Sequence, residues 1–395
     1  MELHLTEDTR CLVYNDYGLR RQWEELMDIM EKEAYLEISY VEPVGLAEAL
    51  KVRVISKGPP LLYTHFKPLQ KFMHSELRKL DVFQLIGAPV SEEIINKTFS
   101  KKQPTPDEIF LNGDYKASTD NLRSWVSEAI GGELVDILNE NARTSRDLGK
   151  IINKEMFIRS LTGHKFIMED GTVMPQLDGQ LMGSITSFPI LCLANAALCR
   201  WALELSNGCK YRLTNQQNKT HTTHHRRCPL LVNGDDCTMK GKREFLRSAW
   251  TKITRFAGLE SSVGKTLFSK VERPIVVINS QTYDYDNGVF KTRKYVNMGI
   301  VKGKSRSSIN GADKIAEYHM LGTLHRELKK TSPESCWEDV SKQFIHYNRH
   351  VLERQPNIPW VCPEYLGGPG LVPDKPVSAQ DRRLFSFLIM HHKNK

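Results

Sequence analysis

The sequence lacks the cysteine patterns that mark a disulfide framework or a structural zinc site. None of its eight cysteines belongs to a CxxC motif, and several lie in apolar surroundings such as PILCLANAALC. Thiols in such surroundings are typically reduced residues of a protein core. The cysteine usage therefore predicts free thiols and a cytosolic setting.

A hydrophobic run long enough to cross a membrane is also missing. The longest apolar stretch extends from Phe188 to Leu198 and ends before Arg200, whereas a membrane-spanning helix needs about 20 apolar residues. The N-terminal segment MELHLTEDTR is charged and has no apolar centre. We therefore expect neither a transmembrane segment nor a signal peptide. No internal repeat is visible, which argues against a solenoid.

The composition that is present is ordinary for a globular protein, with 40% hydrophobic and 26% charged residues among 395. A chain of this length exceeds one typical core, so we expect two or three subdomains. Lysine and arginine number 55 against 47 for aspartate and glutamate, which gives a formal charge of +8. This excess suits a polyanionic partner such as nucleic acid without requiring one.

Hydrophobic periodicity and turn residues predict a mixture of helices and strands. The predicted elements, in chain order, are a helix over 19–50, a strand over 51–60, mostly helical residues to 102, a strand over 109–114, a helix that ends at Gly131-Gly132, a loop and long helix over 179–205, a hairpin around Asn233-Gly234, a helix over 242–257, strands over 274–300 and a helical tail. This order indicates an α+β fold rather than a doubly wound sheet.

The stretch LLVNGDDCTMK, residues 230–240, places two aspartates at a tight turn. Asn233-Gly234 between two strand-like runs is a strong hairpin signal, so Asp235 and Asp236 are expected at the tip. Two carboxylates held this close repel each other and need water or a cation for relief. The pair therefore indicates a cation site, or otherwise a solvated surface turn.

A further aspartate, Asp114, ends the predicted strand over 109–114. If this strand is antiparallel to the hairpin and next to it, Asp114 meets Asp235 and Asp236. Carboxylate oxygens from two strand ends are suitable ligands for Mg²⁺, and two such ions can promote phosphoryl transfer. Six residues on, Asp120 is expected either to cap the following helix or to accept a hydrogen bond from a ribose 2′-OH; both roles are compatible.

Three ordered stretches, GDYKASTDNL, GQLMGSITSFP…LAN and LVNGDD, resemble motifs A, B and C of viral RNA-dependent RNA polymerases. The resemblance is to the ourmia-like (botourmiavirus) group, which is related to narnaviruses, mitoviruses and leviviruses. PWVCPEYLGGPGL, residues 359–371, is similar to a glycine-rich element near the C-terminus of that group. The resemblance extends from about Lys51 to Leu371 and implies a right-hand α+β polymerase with an antiparallel palm sheet.

The resemblance implies roles for the acidic residues. Asp114 and Asp235 would be the principal metal ligands and Asp236 would assist, with Mg²⁺ as the cofactor and Mn²⁺ as an alternative. Asp120 and Asn195 would sense the sugar. A polar residue on a helix flank is the alternative for Asn195.

In the stretch that resembles motif B, Gly179 and Gly183 would let the loop flex against template and nucleotide. Ser184, Thr186 and Ser187 would offer hydroxyl groups to these ligands, and Ser187 is the one that we favour. The alternative is a glycine-rich turn followed by a Ser/Thr helix cap.

Two short stretches with basic residues resemble further motifs of the same polymerases. KVRVISKG resembles motif F, and the alternation of a strand places Lys51, Arg53 and Lys57 on one face, where they would neutralise a triphosphate. The alternative is an edge strand protected by charge. Lys265 in SVGKTLF resembles the motif D lysine, a general acid for departing pyrophosphate; a surface lysine is the alternative. We expect the loop containing HTTHHRRC, residues 221–228, to be basic and exposed rather than to bind zinc.

The implied activity is RNA-templated RNA synthesis by nucleotidyl transfer from nucleoside triphosphates to an RNA 3′-OH, as in replication of a positive-strand RNA virus genome. Template and product RNA would be its partners, in host cytoplasm or at a replication site there. The alternatives are a reverse transcriptase-like enzyme, against which Asp120 argues, and a non-catalytic viral RNA-binding protein. The implied domains are an N-terminal region with fingers (1–106), palm (107–139), a fingers insertion (140–175), palm with motifs B to E (176–299) and thumb (300–395).

Overall fold

The structure is a computed structural model that describes residues 3–5, 12–14, 16–48, 51–99, 105–144, 151–213, 226–270, 272–303, 318–355, 357–373 and 376–393. The predicted basic loop around HTTHHRRC lies mostly outside these residues. The chain divides into two compact units. The first contains residues 1–44 and 54–292, and the second contains residues 45–53 and 293–395.

The first unit contains both helices and strands, and two of the strands, β3 and β4, also include residues of the second unit. The helices of the first unit are α1 Asp16–Leu36, α2 Pro60–His65, α3 Lys67–Arg78, α4 Glu92–Phe99, α5 Ser118–Asn121, α6 Ser124–Thr144, α7 Lys154–Thr162, α8 Ser187–Asn207 and α9 Arg243–Phe256. The strands are β1 Leu3–Leu5, β2 Leu12–Tyr14, β3 Tyr40–Glu48, β4 Lys51–Lys57, β5 Glu108–Gly113, β6 Lys165–Ile167, β7 Val173–Pro175, β8 Tyr211–Arg212, β9 Arg226–Arg227, β10 Leu230–Asn233, β11 Asp236–Lys242, β12 Leu267–Phe268, β13 Ile275–Ile278, β14 Gln281–Asp286 and β15 Val289–Thr292.

A four-stranded antiparallel sheet in the order β10-β11-β5-β12 is the centre of the first unit. Leu111 on β5 lies opposite Met239 on β11, and both side chains are fully buried. Helices α8 and α9 pack against each other and contribute to the same core, together with Trp250. The expected antiparallel sheet that joins the Asp114 strand to the hairpin is therefore present.

Helix α8 combines an apolar composition with a buried position. Of the helices that the structure describes, it is long and apolar enough to cross a membrane. However, 61% of its most apolar window is buried inside the protein. Thirteen of its residues, from Ser187 to Ser206, are buried, so α8 serves here as a core helix.

Two predicted helix boundaries are wrong, and in both cases distant contacts are the reason. The first helix ends at Leu36 rather than near 50, because Tyr40 and Val41 pair in parallel with Lys165 and Phe166 of β6. Such a pairing across more than a hundred residues leaves no local signal.

The second error concerns the glycine pair at 131–132. Instead of ending the helix, Gly131 and Gly132 lie inside α6. A Cβ atom on Gly131 would lie 3.0 Å from Phe157 and Leu161 of α7, so glycine allows the two helices to approach closely.

Besides the central sheet and the strand pairs β1-β2 and β8-β9, two larger sheets of the described residues belong wholly or largely to the first unit. Strands β13, β14 and β15 form an antiparallel meander, as predicted for 274–300. Val276, Tyr283 and Phe290 of this meander pack with Phe110 and Leu231 of the central sheet. The other sheet has the order β4-β3-β6-β7.

The second unit is mainly helical, with α10 Met298–Val301, α11 Leu321–Thr331, α12 Trp337–Leu352 and α13 Ala379–Lys393. Its core contains Leu321, Leu328, Phe344 and Val351. The predicted thumb over 300–395 falls within this unit. The domain boundaries themselves stay predictions.

The described cysteines are free thiols, as the sequence predicted. They are Cys192, Cys199, Cys209, Cys228, Cys237, Cys336 and Cys362. All but Cys209 and Cys336 are buried.

Asn112 on β5 connects three strands through its buried amide group. Its oxygen accepts hydrogen bonds from Thr238 Oγ1 and Val277 N, both at 2.8 Å. Its nitrogen donates to Ile275 O at 3.1 Å.

We expect Asn112→Ala to lower the free energy of unfolding by about 3 kcal/mol, because each buried polar group left without a partner costs roughly 1–3 kcal/mol. Urea denaturation followed by circular dichroism measures this change. Val263→Ala is the control, since Val263 is 99% exposed. Equal midpoints for the two variants would contradict the assigned role of Asn112.

Candidate active site

The aspartate hairpin is formed by β10 and β11 with a two-residue turn. Asn233 pairs with Asp236, so Gly234 and Asp235 form the turn and Asp236 is the first residue of β11. Gly234 has φ +67°, a backbone conformation that glycine adopts without strain. The predicted hairpin is therefore present. The prediction that both aspartates lie at its tip is wrong, because Asp236 pairs with Asn233 and the turn residues are Gly234 and Asp235.

Asp114 lies beside this hairpin. Cys237 of β11 pairs with Gly113 of β5, so Asp236 and Asp114 are the next residues at the same end of the sheet. Burial, together with the negative charges of Asp235 and Asp114, raises the pKa of Asp236 to about 6. The structure thus brings together the three carboxylates that the sequence predicted to meet.

Each of these carboxylates has a contact with another group of the protein, and that of Asp236 is with the backbone amide of Asn279. Lys265 Nζ lies 3.5 Å from Asp114 Oδ2, in a segment fixed by the hydrogen bond from Thr266 Oγ1 to Asp114 O at 2.9 Å. Ser118 Oγ donates a hydrogen bond to Asp235 Oδ2 at 2.8 Å. The sequence predicted a role for Lys265 but not for Ser118, whose only signal was its position between Asp114 and Asp120.

The donor set fits a hard divalent cation that is completed by other ligands. Among the residues that the structure describes, no three His, Cys, Asp or Glu side chains are arranged to hold a metal ion by themselves. Mg²⁺ in phosphoryl-transfer sites is typically held by one or two carboxylates together with water and substrate phosphates. Asp114, Asp235 and Asp236 provide such carboxylate oxygens, and the raised pKa of Asp236 shows that the three groups repel one another.

The motif B loop, residues 179–187, packs closely against backbone at both of its glycines. A Cβ atom on Gly179, at φ +79°, would lie 2.7 Å from the carbonyl oxygens of Thr119 and Asp120. A Cβ atom on Gly183, at φ +120°, would lie 2.2 Å from Ser56 O. Both glycines are therefore required by close approach, in addition to the flexibility that the sequence suggested.

The three hydroxyl groups of this loop are buried. Ser184 Oγ donates to Ser160 O at 2.5 Å, and Thr186 Oγ1 is 2.8 Å from Ser160 Oγ. Ser187, the residue favoured from the sequence, is the first residue of α8, and its buried hydroxyl has no hydrogen-bond partner in the structure. Of the three hydroxyl groups, that of Ser187 is the one not committed to another protein group.

Asp120 does not cap the following long helix, as one of its two predicted roles required. It lies within the short helix α5, and its side chain is exposed. The first amide of α6, Ser124 N, instead donates to Asp178 Oδ1 at 2.7 Å, and Gly179 N donates to the same oxygen at 3.0 Å. Asp178 therefore joins motif B to α6, a role without a local sequence signal.

Asn195 is fully buried, unlike a residue that contacts a sugar directly. Its side-chain nitrogen donates to Gly234 O and to Asp235 O, both at 3.0 Å. Its oxygen accepts from Tyr115 Oη at 2.9 Å. The predicted sugar sensor thus lies beneath the hairpin rather than in an open site.

The basic strand β4 reaches the motif B loop at its C-terminal end, where Ser56 N donates to Met182 O at 2.7 Å. Lys57 follows and is exposed. Lys51 and Arg53 lie earlier on the strand, in the residues assigned to the second unit. Their predicted contact with a triphosphate stays a prediction.

Solved structures share this fold. The RNA-dependent RNA polymerase of a human picorbirnavirus matches 89% of this chain and 60% of its own with a TM-score of 0.56 and 13% identity. The BmCPV RNA-dependent RNA polymerase at elongation state matches 82% of this chain and 27% of its own, with a TM-score of 0.54 and 11% identity. The chain therefore has the right-hand fold of viral RNA-dependent RNA polymerases.

Among characterised proteins, the RNA-dependent RNA polymerase of Ourmia melon virus (isolate Melon/Iran/VE9) is 27% identical over 348 residues, 84% of this chain. This chain spans 38% of that relative's length. The similarity confirms the resemblance to ourmia-like polymerases that the three motifs indicated. No protein-family model matches the chain.

We expect Gly183→Ala to destabilise the protein more than Gly171→Ala. Both glycines have positive φ, but a Cβ on Gly171 would meet nothing within 4 Å. The additional clash with Ser56 O should lower the melting temperature by more than about 3 °C relative to Gly171→Ala, since 1 kcal/mol corresponds to roughly 2–4 °C in a protein of this size. Scanning fluorimetry measures both variants, and equal melting temperatures would refute the close packing.

Proposed function

We propose that this protein synthesises RNA on an RNA template, as part of the replication of a positive-strand RNA virus genome. The observation that carries the proposal is the meeting of Asp114, Asp235 and Asp236 at one end of the β5–β11 pair, in a fold shared with viral RNA-dependent RNA polymerases. The similarity to the Ourmia melon virus polymerase supports the same activity.

In the proposed reaction, the 3′-hydroxyl of the growing RNA loses its proton to water, and its oxygen forms a bond to the α-phosphorus of a nucleoside triphosphate. The bond from that phosphorus to the β-phosphate oxygen breaks, and pyrophosphate leaves. Asp114 and Asp235 would hold the divalent cations, with assistance from Asp236. When bound, Mg²⁺ or Mn²⁺ would lower the pKa of the attacking hydroxyl and stabilise charge on the leaving oxygen.

Other residues would handle the proton and the substrate. The proposed general acid is Lys265, whose Nζ is 3.5 Å from Asp114 Oδ2 and whose ammonium group would donate a proton to the departing pyrophosphate. Asp120 is exposed and would accept a hydrogen bond from the ribose 2′-OH. Lys57, with Lys51 and Arg53, would neutralise the triphosphate. Ser187 would offer its hydroxyl group if the start of α8 opens toward the template.

Template and product RNA would be bound mainly through their phosphates. The formal charge of +8 favours such binding, and affinity should therefore decrease as salt increases. Base pairing within the shaped site would select the nucleotide, and the proposed location is the host cytoplasm or a replication site within it.

Asp235→Asn tests this proposal directly, because it removes a charged ligand while keeping the shape of the side chain. We expect primer extension on an RNA template with Mg²⁺ to fall by roughly 100-fold or more, the usual loss for a group that stabilises charge in a transition state. Asp170→Asn, in an exposed turn, is the control and should keep the parent activity.

The same assay separates the alternatives. Extension with dNTPs in preference to rNTPs would indicate a reverse transcriptase. RNA retention without Mg²⁺-dependent extension would indicate an RNA-binding protein. Equal extension by Asp235→Asn and the parent would refute the role of Asp235.

The proposed role of Asp120 gives a second prediction. Asp120→Ala should lower the preference for rNTPs over dNTPs by about tenfold, since a hydrogen bond to a charged group contributes roughly 1.5–3 kcal/mol. Competition between labelled rNTPs and dNTPs on one template measures the ratio. Asp286→Ala, an exposed carboxylate on β14, is the matched control, and an unchanged ratio in Asp120→Ala would remove Asp120 from the sugar site.

A further inference from the structure

One face of α8 supports the turn that carries Asp235. Phe188, Cys192 and Asn195 are spaced so that they lie on the same side of this helix. The ring of Phe188 packs so closely on the turn that a Cβ atom added to Gly234 would be 3.1 Å from it. The backbone amide of Gly234 donates a hydrogen bond to Cys192 Sγ at 3.2 Å. The hairpin turn therefore packs on α8 through three side chains that lie on successive turns of the helix.

Asn195 makes the strongest of these connections. Its two amide hydrogens are directed at the carbonyl oxygens of Gly234 and Asp235, the two residues of the turn. These bonds determine the direction of both peptide groups, and hence of the Asp235 side chain between them. An asparagine amide has two donor hydrogens, and both are used here.

The oxygen of the same amide connects the turn to the other aspartate strand. It accepts from Tyr115 Oη at 2.9 Å and from Cys199 Sγ at 3.2 Å. Tyr115 directly follows Asp114, and its ring is stacked on the buried Trp250 with 5.3 Å between the ring centroids. One buried side chain thus links the residues that carry Asp114 and Asp235.

We propose that Asn195 is a positioning residue that sets the distance and orientation of Asp235 relative to Asp114, and that it does not contact the ribose. Its complete burial and the use of every polar atom of its amide support this assignment. The kinetic consequences rest on the proposed function, whereas the structural consequence at the hairpin does not.

Three variants and one control test the proposal. Asn195→Asp keeps the shape but replaces the donor nitrogen with an oxygen that faces two carbonyl oxygens. Asn195→Leu removes all polar contacts, and Tyr115→Phe removes only the hydroxyl that orients the amide. Ser206→Ala is the control, because Ser206 Oγ makes a buried bond from the far end of α8 to Lys242 O at 3.1 Å.

Hydrogen exchange with mass spectrometry measures the hairpin without requiring activity. We expect peptides covering 230–237 to exchange faster in Asn195→Asp and Asn195→Leu, and to a smaller extent in Tyr115→Phe. Ser206→Ala should leave these peptides unchanged. Should both Asn195 variants fail to fold, Tyr115→Phe decides: faster exchange at 230–237 supports the proposal, and parent-like exchange overturns it.

Steady-state extension then distinguishes positioning from sugar sensing. We expect kcat to fall by about tenfold or more in Asn195→Leu, equivalent to roughly 1.4 kcal/mol, with KM for the nucleotide and the rNTP-to-dNTP preference nearly unchanged. A changed sugar preference with parent-like kcat would overturn the proposal. If the parent itself shows no extension, the proposed function fails, and the exchange experiment still decides whether Asn195 holds the hairpin.

Discussion

The antiparallel pairing of β5 with β11 is the constraint on which the rest of the site depends. Its register places Cys237 opposite Gly113, and this places Asp236 and Asp114 at one end of the sheet. A shift by one residue would turn Asp236 to the opposite face, because side chains alternate along a strand. Packing on both faces opposes such a shift: Leu111 and Met239 belong to the core that includes α8 and α9, whereas Phe110 belongs to the core that includes the β13–β15 meander. The hydrophobic core thus specifies the position of the carboxylates.

This arrangement is electrostatically unfavourable, because it holds three carboxylates close together. Asp236 is half-buried beside two other carboxylates, and both its burial and their charges raise its pKa to about 6. Lys265 and Ser118 provide partial compensation by contacting Asp114 and Asp235. Such incomplete compensation is typical of a functional site, where the protein leaves charge for a ligand to neutralise.

Helix α8 and the loop before it connect the parts of the site. The loop is held against the α5 turn by Gly179 and against β4 by Gly183, while the helix supports the hairpin. Because these contacts are made by backbone atoms and by buried side chains with few alternative rotamers, displacement of one part would be transmitted to the others. Helix α8 and this loop therefore connect β4, the α5 turn and the aspartate hairpin.

The sequence alone determined the local elements: the hairpin near Asn233-Gly234, the strand before Asp114, the long helix with Pro189 in its first turn and the meander after 274. Each is specified by residues close in the chain, through turn preference and hydrophobic periodicity. Only the tertiary structure decided that Gly131-Gly132 continues a helix, that Asp178 caps α6 and that Asn195 faces the hairpin. These features depend on contacts between residues far apart in the chain. Local preference carries no information about such partners, because the energy of a buried contact is defined only when both sides are in place.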